Sequence, residues 1–458
     1  MSSATSYLLQ RPLDAPVAWL SGASGFDKAD AGRTILGQQF LSHVHRVAQK
    51  LPANVNYAVN LCDNRYLFLV SLCAVILRKQ SNLLPPNKNT TTQQDLCQRY
   101  ENAYLLHDGQ VDLAPNIQQV SLRDIDLSEK GVGANFDVEL DHVALISFTS
   151  GSTGASKANI KTWRTLQQSS LINAQHMLPN DNDTFYHLAT VPGQHMWGLE
   201  TSVIMSLFAK VCLIDARPLF PHDILQILHQ MPAPRVLVST PLHLRALSIT
   251  ATESQPLPSL ANVLTATAPI EQALAKKIEQ QFMTQVVEVY GCSEVGSMAS
   301  REPAKTDVWT QFEGLNFQQE SDKTCVSTEY LPAPVFLDDQ LDFVANQQFK
   351  LQGRSSDQIK IAGKRGSLYD VNRVLNTFEG LVDGIVIFPE QTRLVPRLVA
   401  LVVLKDESKK AELQAHFRQH LDAAFVPRPI LLVEKLPRQE NGKLNKAALV
   451  EFYQSLLK

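Results

Sequence analysis

One repeated pattern dominates the middle of the chain. Between about residues 143 and 290, short apolar runs alternate with small-residue turns and amphipathic helical stretches. The runs have the length of buried strands and lie at residues 143–149, 211–214, 235–240, 262–266 and 286–290. The helical stretches include residues 163–177 and 271–282. This alternation predicts an α/β fold, in which loops at the carboxyl ends of the strands bind ligands.

The flanking regions follow other patterns. Residues 65–78 (RYLFLVSLCAVILR) predict a buried helix, whereas residues 85–94 (PPNKNTTTQQ) are polar and turn-rich, which predicts a surface loop. After residue 354 a smaller unit is expected, with paired strands at 384–388 and 398–404, a helix at 410–421 and a strand at 430–433. We therefore expect a large, multi-subdomain N-terminal α/β domain over residues 1–353 and a small, mobile α+β C-terminal domain over residues 354–458.

Charge and cysteine content indicate the kind of partner and the cellular compartment. The 458 residues include 42 basic and 45 acidic side chains, a balance that favours a small-molecule or protein partner over nucleic acid. The six cysteines are scattered without a CxxC pair, which indicates reduced thiols and a cytoplasmic protein. We find no pattern of a signal peptide and no run of about 18 apolar residues, so we expect a soluble, unprocessed chain without a membrane span.

The most informative stretch reads TSGSTGASK and follows the apolar run at residues 143–149. A loop of glycine and hydroxyl residues before a predicted helix can turn its N–H and hydroxyl groups around phosphate oxygens, and a lysine adds positive charge. A Ser/Gly-rich surface turn is the alternative. A Walker A loop requires Gly-Lys-Ser/Thr, whereas Lys157 follows Ser156. The candidate phosphate-binding residues are Thr149, Ser150, Gly151, Ser152, Thr153, Gly154 and Lys157.

Further motifs occur in a fixed order along the chain. They are VPGQHMWGLE at residues 191–200, TATAP at 265–269, VYGCSE at 289–294, GRSSDQIKIAG at 353–363 and PRQENGK at 437–443. Together with TSGSTGASK, they resemble the motifs of the adenylate-forming superfamily, which contains acyl-CoA synthetases, aryl-acid ligases and peptide-synthetase adenylation domains. The resemblance is close from about residue 140 to the end and loose before it.

The resemblance implies that ATP activates a carboxylic acid as an acyl-adenylate, which then forms a thioester with an acyl carrier protein or coenzyme A. Two anions meet in the first step, so positive charge must be supplied where negative charge accumulates. The implied suppliers are Lys443 and a Mg²⁺ ion bound by Glu294. His195 is expected to abut the substrate carboxylate. Taken singly, these three side chains have a structural alternative, as a surface lysine, a solvated carboxylate and a packed core histidine.

The resemblance also assigns nucleotide contacts. Tyr290 is expected to stack on the adenine, and Asp339, fifteen positions before Arg354, to accept the ribose hydroxyls. Asp338 and Asp342 remain alternatives for the ribose. The complete nucleotide set outside the glycine loop is Ala266, Thr267, Ala268, Tyr290, Gly291, Ser293, Asp339 and Arg354.

Trp197, Ala266, Gly296 and Met298 are proposed to line the acyl pocket, with ordinary core packing as the alternative. Ser356 is the expected hinge.

Departures from the family pattern bear on the substrate. Ala266 replaces a glycine beside the nucleotide, and no acidic residue occurs between residues 191 and 199, which argues against an α-amino acid. The phrases HMWGLE, TPLHLRAL and KRGSLYDV resemble compact acyl synthetases of aryl-polyene and hybrid fatty-acid or polyketide pathways. We therefore expect an aryl or fatty acid. The alternatives are a non-catalytic nucleotide-binding homologue, a standalone amino-acid adenylation enzyme and an adenylating oxidase.

Overall fold

The computed structural model describes residues 4–22, 31–109, 111–127, 131–149, 157–252, 256–320, 323–354, 357–361, 364–389, 397–439 and 442–457. Among these residues, no helix is long and apolar enough to cross a bilayer.

An eleven-stranded sheet forms the centre of the larger part. Six of its adjacent strands run parallel, with helices between them, so their carboxyl ends meet at one edge. Its strands, in spatial order, are Asp339–Ala345, Gln348–Arg354, Trp309–Gln311, Gly296–Arg301, Val286–Cys292, Asn262–Thr265, Arg235–Ser239, Phe185–Ala189, Val211–Ile214, Pro16–Leu20 and Arg33–Leu36.

A six-stranded sheet lies beside it. Its strands, in spatial order, are Lys157–Thr162, Val143–Thr149, Ser81–Leu84, Tyr57–Asn60, Tyr104–His107 and Gln119–Ser121. The repeated sequence pattern therefore spans two sheets rather than one layer. The strand Lys157–Thr162 was not predicted: it lies between the glycine loop and the predicted helix, and it runs antiparallel to Val143–Thr149. Its alternating polar residues pair along the ladder, and the helix begins only at Trp163.

Smaller sheets complete the strand inventory. A two-stranded sheet pairs Thr5–Tyr7 with Asp137–Glu139, and a three-stranded sheet contains Asn316–Glu320, Lys323–Ser327 and Val335–Leu337. Beyond residue 357, Gln358–Ile361 pairs with Lys364–Ser367, and a three-stranded sheet contains Leu381–Ile387, Val399–Leu404 and Ile430–Leu432.

Helices cover both faces of the large sheet and the small unit. The α-helices are Gly37–Lys50, Arg65–Leu77, Thr90–Arg99, Trp163–Met177, Met196–Leu199, Met205–Phe208, Pro221–Gln230, Pro241–Ala251, Gln272–Phe282, Leu368–Asn376, Lys410–His420 and Lys446–Ser455. Leu122–Asp124 and Glu407–Lys409 are 3₁₀-helices, and Glu200–Ile204 is a π-helical turn. Caps explain several starts: Thr162 accepts the N–H of Thr165, and Asn64 accepts that of Leu67.

The predicted loop at residues 85–94 is partly helical, because the helix Thr90–Arg99 begins inside it. Gln93 is fully buried, and its amide donates to the carbonyls of Lys88 and Asp112 and accepts the N–H of Ala114. These bonds join the helix to neighbouring loops and satisfy a polar side chain in the interior. Such long-range partners are invisible in the local sequence, which therefore looked like a surface loop.

The core is divided into several apolar clusters. The cluster around Ile359, Leu375 and Phe417 contains only residues beyond 358, and so does a smaller one around Leu401 and Tyr453. This separation agrees with a distinct C-terminal unit. The boundary at residue 354 stays a prediction.

Candidate active site

The first part of the site lies where the strand Val286–Cys292 ends. Tyr290 donates its hydroxyl to Asp339 Oδ2 at 2.9 Å, and Arg354 Nε donates to Asp339 Oδ1 at 3.4 Å. Asp339 and Arg354 face each other across an antiparallel pair of strands, which fixes their approach. Burial raises the pKa of Tyr290, and Asp339 raises it further. Of the three aspartates considered from the sequence, Asp339 is the one hydrogen-bonded to Tyr290.

The second part is an ion pair between Lys157 and Glu294. Lys157 Nζ lies 2.8 Å from Glu294 Oε1, although the two residues are 137 positions apart. Burial alone raises the pKa of Glu294, but hydrogen bonds, chiefly from Lys157, outweigh it and lower the pKa. The carboxylate is therefore held ionised at the edge of the sheet. Among the described residues, no three His, Cys, Asp or Glu side chains cluster as metal ligands.

The third part is the turn that carries Lys443. Gly442 has a φ of +79°, a left-handed conformation that glycine adopts at little cost. The turn is closed by hydrogen bonds from Gly442 N to Gln439 O and from Gln439 N to Lys443 O, both 2.8 Å. Arg438 donates to the carbonyl of Gly442 at 2.7 Å and, through Nε, to Asp383 Oδ2 at 2.8 Å. The backbone around Lys443 is thus anchored to the strand Leu381–Ile387.

This turn lies against the larger part of the molecule. A Cβ added at Gly442 would sit 3.6 Å from Thr240 Oγ1, at the start of the helix Pro241–Ala251. The Lys443 side chain keeps contact with solvent, yet enough protein surrounds its ammonium for desolvation to lower its pKa. Arg354 lowers this pKa further, whereas the charges of Glu294 and Asp339 raise it. The structure therefore brings Lys443 to the same place as the first two parts.

The candidate acyl-pocket residues divide into two groups. Trp197, Ala266 and Met298 belong to one apolar cluster, in which Trp197 Nε1 donates to the carbonyl of Ser239 at 3.2 Å. Half-buried His195 precedes the short helix that carries Trp197. At Gly296 the position that a side chain would take is filled, because an added Cβ would lie 2.2 Å from Glu200 Oε1.

The turn expected against the adenine keeps an unusual backbone. Thr267 has a φ of +79°, which is rare for a β-branched residue, and it stands where the family pattern has a glycine. Ala266 is buried, whereas Ala268 is exposed. Gly291 admits no larger residue, because an added Cβ would lie 2.3 Å from the carbonyl oxygen of Gly296. Half-buried Ser293 follows in the turn before Glu294.

Several predicted residues lie outside the described part of the chain. They are the loop residues Ser150, Gly151, Ser152, Thr153 and Gly154, together with the hinge candidate Ser356. The two ends of the loop are described: the backbones of Thr149 and Lys157 face each other in the antiparallel ladder.

Sequence reasoning missed a buried polar network near Glu294, which consists of Lys161, Glu200 and Ser297. Lys161 and Glu200 are 1% and 3% exposed, and Ser297 donates to Glu200 Oε2 through both its N–H, at 3.1 Å, and its hydroxyl, at 2.9 Å. The sequence signals that could have indicated this network are Lys161 in a half-apolar strand and Glu200 directly after a short apolar helix. Burial raises the pKa of Glu200, while Lys161 and Ser297 lower it.

Comparison with known proteins identifies the family of this chain. The model of the AMP-binding enzyme family matches residues 48–316, and that of the AMP-binding enzyme C-terminal domain matches residues 372–443. The first match covers more than half of the chain, so the protein belongs to the AMP-binding enzyme family. The family expected from the motifs and the predicted fold class are thereby confirmed.

Individual relatives are distant. The chain is similar to a 2-succinylbenzoate–CoA ligase of Listeria monocytogenes, with 22% identity over 397 residues that cover 79% of this chain and 82% of the relative. It is 30% identical over 97 residues to surfactin synthase subunit 3 of Bacillus subtilis, which covers 21% of this chain and 8% of that protein. The chain thus spans only a small share of the peptide synthetases that it matches.

Among solved structures, the fold is similar to the o-succinylbenzoate coenzyme A synthetase of Bacillus subtilis in complex with ATP and magnesium. The TM-score is 0.80 at 15% identity, over 97% of this chain and 100% of that one. At this identity the likeness shows the fold alone.

Proposed function

We propose that the protein uses ATP to convert an aryl or fatty carboxylic acid into an acyl-adenylate and then transfers the acyl group to a thiol, of coenzyme A or an acyl carrier protein. The observation that carries this proposal is the position of the Lys443 turn, whose Gly442 lies beside Thr240 at the carboxyl end of the strand Arg235–Ser239. The charges of Glu294, Asp339 and Arg354 act on the pKa of Lys443 at this place. A lysine, an arginine and two carboxylates at the carboxyl edge of a parallel sheet suit a nucleotide and an acid.

The residues fit the nucleotide and its metal by their chemistry. Asp339 can accept two ribose hydroxyls if the bonds from Tyr290 and Arg354 rearrange, since a carboxylate has about four acceptor sites. Glu294 is ionised and half-exposed, as a Mg²⁺ ligand must be. The ion would neutralise charge on the phosphates during attack. Lys157, now paired with Glu294, would turn to the phosphates when a cation takes its place.

In the adenylation step, the Lys443 ammonium stabilises the negative charge that develops as the carboxylate attacks the α-phosphate. Arg438 fixes the turn that carries Lys443, and the preceding Gly442 lies beside Thr240. His195 and Trp197 border the acid. We further propose that residues 354–458 then rotate as a unit about Ser356, which withdraws Lys443 and opens a path for the thiol.

The contacts of Glu200 support a substrate without an α-ammonium group. Glu200 is the carboxylate nearest in sequence to His195, but it already accepts two hydrogen bonds from Ser297 and is balanced by the charge of Lys161. A buried carboxylate with these partners is not available to pair with an amino acid. The contacts of Glu200 therefore favour an aryl or fatty acid over an amino acid as the substrate.

Product analysis tests this proposal. The protein is incubated with ATP, Mg²⁺ and one acid at a time, with either coenzyme A or a phosphopantetheinylated carrier protein as acceptor. We expect AMP release together with one thioester, detected by mass spectrometry, for aryl or fatty acids. AMP and thioester formation with amino acids alone would contradict the substrate class, and ATP binding without any AMP would favour the non-catalytic alternative.

A further inference from the structure

Two lysines of one strand contact Glu294. Lys157 and Lys161 lie four positions apart in the strand Lys157–Thr162, so their side chains point to the same face. Lys157 Nζ contacts the Glu294 carboxylate at 2.8 Å, and Lys161 Nζ donates to the Glu294 backbone carbonyl at 2.7 Å. The first lysine is 63% exposed at its side chain, whereas the second is fully enclosed. Only the second is therefore a fixed part of the interior.

Burying an ammonium ion is costly unless it is paired and hydrogen-bonded. Burial lowers the pKa of Lys161, and the charge of Glu200, together with those of Cys292 and Glu294, raises it. Glu200 is held in turn by the N–H and hydroxyl of Ser297. The negative charge of Glu200 offsets part of the cost of burying the Lys161 ammonium.

The same network reaches two functional segments. Glu200 starts the π-helical turn that directly follows the short helix after His195, whereas Ser297 follows Glu294 by three positions. Gly296, with a φ of +105°, lets the Glu200 carboxylate approach the backbone, since an added Cβ would lie 2.2 Å from Oε1. The acid-facing segment and the turn of Glu294 are thus joined by buried polar contacts.

From this geometry we propose that Lys161 is a positioning residue for Glu294: it fixes the backbone of the Glu294 turn so that the carboxylate meets the metal ion of the nucleotide, and Glu200 balances its charge. The inference rests on the proposed function. Residues that orient a metal ligand without touching the metal change metal affinity by about 10–100-fold when they are replaced. The loss of Lys161 is expected to act through the metal and to leave metal-free nucleotide binding unchanged.

Two neutral double variants test this role. Lys161 and Glu200 are both buried, so replacing one of them alone would leave the other charge without its counter-charge and risk unfolding. K161M/E200Q removes both charges and the donor to Glu294, whereas K161Q/E200Q removes both charges and keeps a donor. The thermal midpoint of each variant shows whether it folds.

The readout is the affinity for a non-hydrolysable ATP analogue, measured by calorimetry with and without Mn²⁺. We expect the wild-type protein to bind the analogue more tightly with Mn²⁺. In K161M/E200Q this gain falls by about 10-fold or more, and K161Q/E200Q recovers part of it. Metal-free affinity stays at the wild-type value in both variants.

Two results would overturn the role of Lys161. The first is that Mn²⁺ increases the affinity of folded K161M/E200Q for the analogue as much as it does for the wild type. The second is that the variant loses the same affinity with and without Mn²⁺, which indicates a merely structural contribution. Failure of the proposed function is distinguishable, because the wild-type protein itself would then show no acid-dependent exchange of pyrophosphate into ATP.

Discussion

Tyr290 and Asp339, 49 positions apart, are joined by a hydrogen bond of 2.9 Å between the phenolic hydroxyl and the carboxylate. The bond places Asp339 beside the end of a central strand, with Arg354 on its other oxygen. Asp338 and Asp342, the other two aspartates considered for the ribose, are exposed. The arrangement favours Asp339 as the acceptor of the ribose hydroxyls.

Replacing each aspartate by asparagine tests this choice. We expect Asp339→Asn to weaken ATP binding by about 10-fold, because hydrogen bonds to a charged acceptor contribute about 1.5–3 kcal/mol. Asp338→Asn and Asp342→Asn serve as controls and should bind ATP like the wild type. Calorimetric titration measures all three. A larger loss in either control than in Asp339→Asn would move the ribose site.

Lys443 is expected to serve only the first half-reaction. Lys443→Ala should slow formation of the acyl-adenylate by about 100-fold or more, because a pre-positioned charge that meets the transition state is removed. Thioester formation from a supplied acyl-adenylate should be unchanged. Lys435→Ala, an exposed lysine in the preceding segment, is the matched control. Equal loss of both half-reactions in Lys443→Ala would refute the assignment.

Substitutions at Gly353 and Gly314 distinguish the cost of backbone strain from the cost of steric overlap. Both have a left-handed φ, of +89° and +76°, but a Cβ at Gly353 would lie 2.6 Å from Tyr369 Cβ, whereas one at Gly314 meets nothing within 4 Å. We expect Gly314→Ala to cost about 1–2 kcal/mol of unfolding free energy. Gly353→Ala should cost about 1–3 kcal/mol more. Urea unfolding measures both, and equal costs would contradict a close packing of Gly353 on Tyr369.

Buried His187 makes stability depend on pH. Its Nδ1 donates to the carbonyl of Thr201 at 2.7 Å, and burial lowers the pKa of His187 to about 4. The unfolded chain, with a pKa of about 6.5, binds the proton more readily. The contribution of neutral His187 to the free energy of unfolding is therefore complete above about pH 6.5. It decreases by about 3 kcal/mol as the pH falls towards 4.

Urea unfolding at several pH values between 7.5 and 4 checks this. His187→Gln should flatten the fall of the unfolding free energy on the acid side, whereas His229→Gln, at an exposed helix position, should leave it as in the wild type. An unchanged pH dependence in His187→Gln would show that other groups are responsible.

Local patterns predicted much of the fold because the central strands are short apolar runs with clear turns. The strand Val211–Ile214 and the helix Trp163–Met177 have the predicted bounds. The helix Thr90–Arg99 was missed because buried Gln93 is satisfied by partners distant in the sequence. Periodicity within one segment carries no information about such contacts.

The candidate site followed from ordered motifs rather than from periodicity. These motifs named Glu294, Asp339 and Lys443, which the fold brings together. They did not identify Lys161 or Glu200. In the sequence each is an isolated charged residue, because the opposite charge that acts on it lies 39 positions away. The position of Gly442 beside Thr240 could not be predicted either, since it brings together two residues about 200 positions apart in the sequence.

Adenylation of a carboxylic acid is the reaction on which the proposed roles of Glu294, Asp339 and Lys443 depend. Exchange of labelled pyrophosphate into ATP, measured with a panel of aryl, short, medium and long-chain acids and amino acids, tests it most directly. We predict Mg²⁺-dependent exchange with aryl or fatty acids and none with amino acids. Absence of exchange with every acid, despite measurable ATP binding, would contradict it and indicate a non-catalytic nucleotide-binding protein.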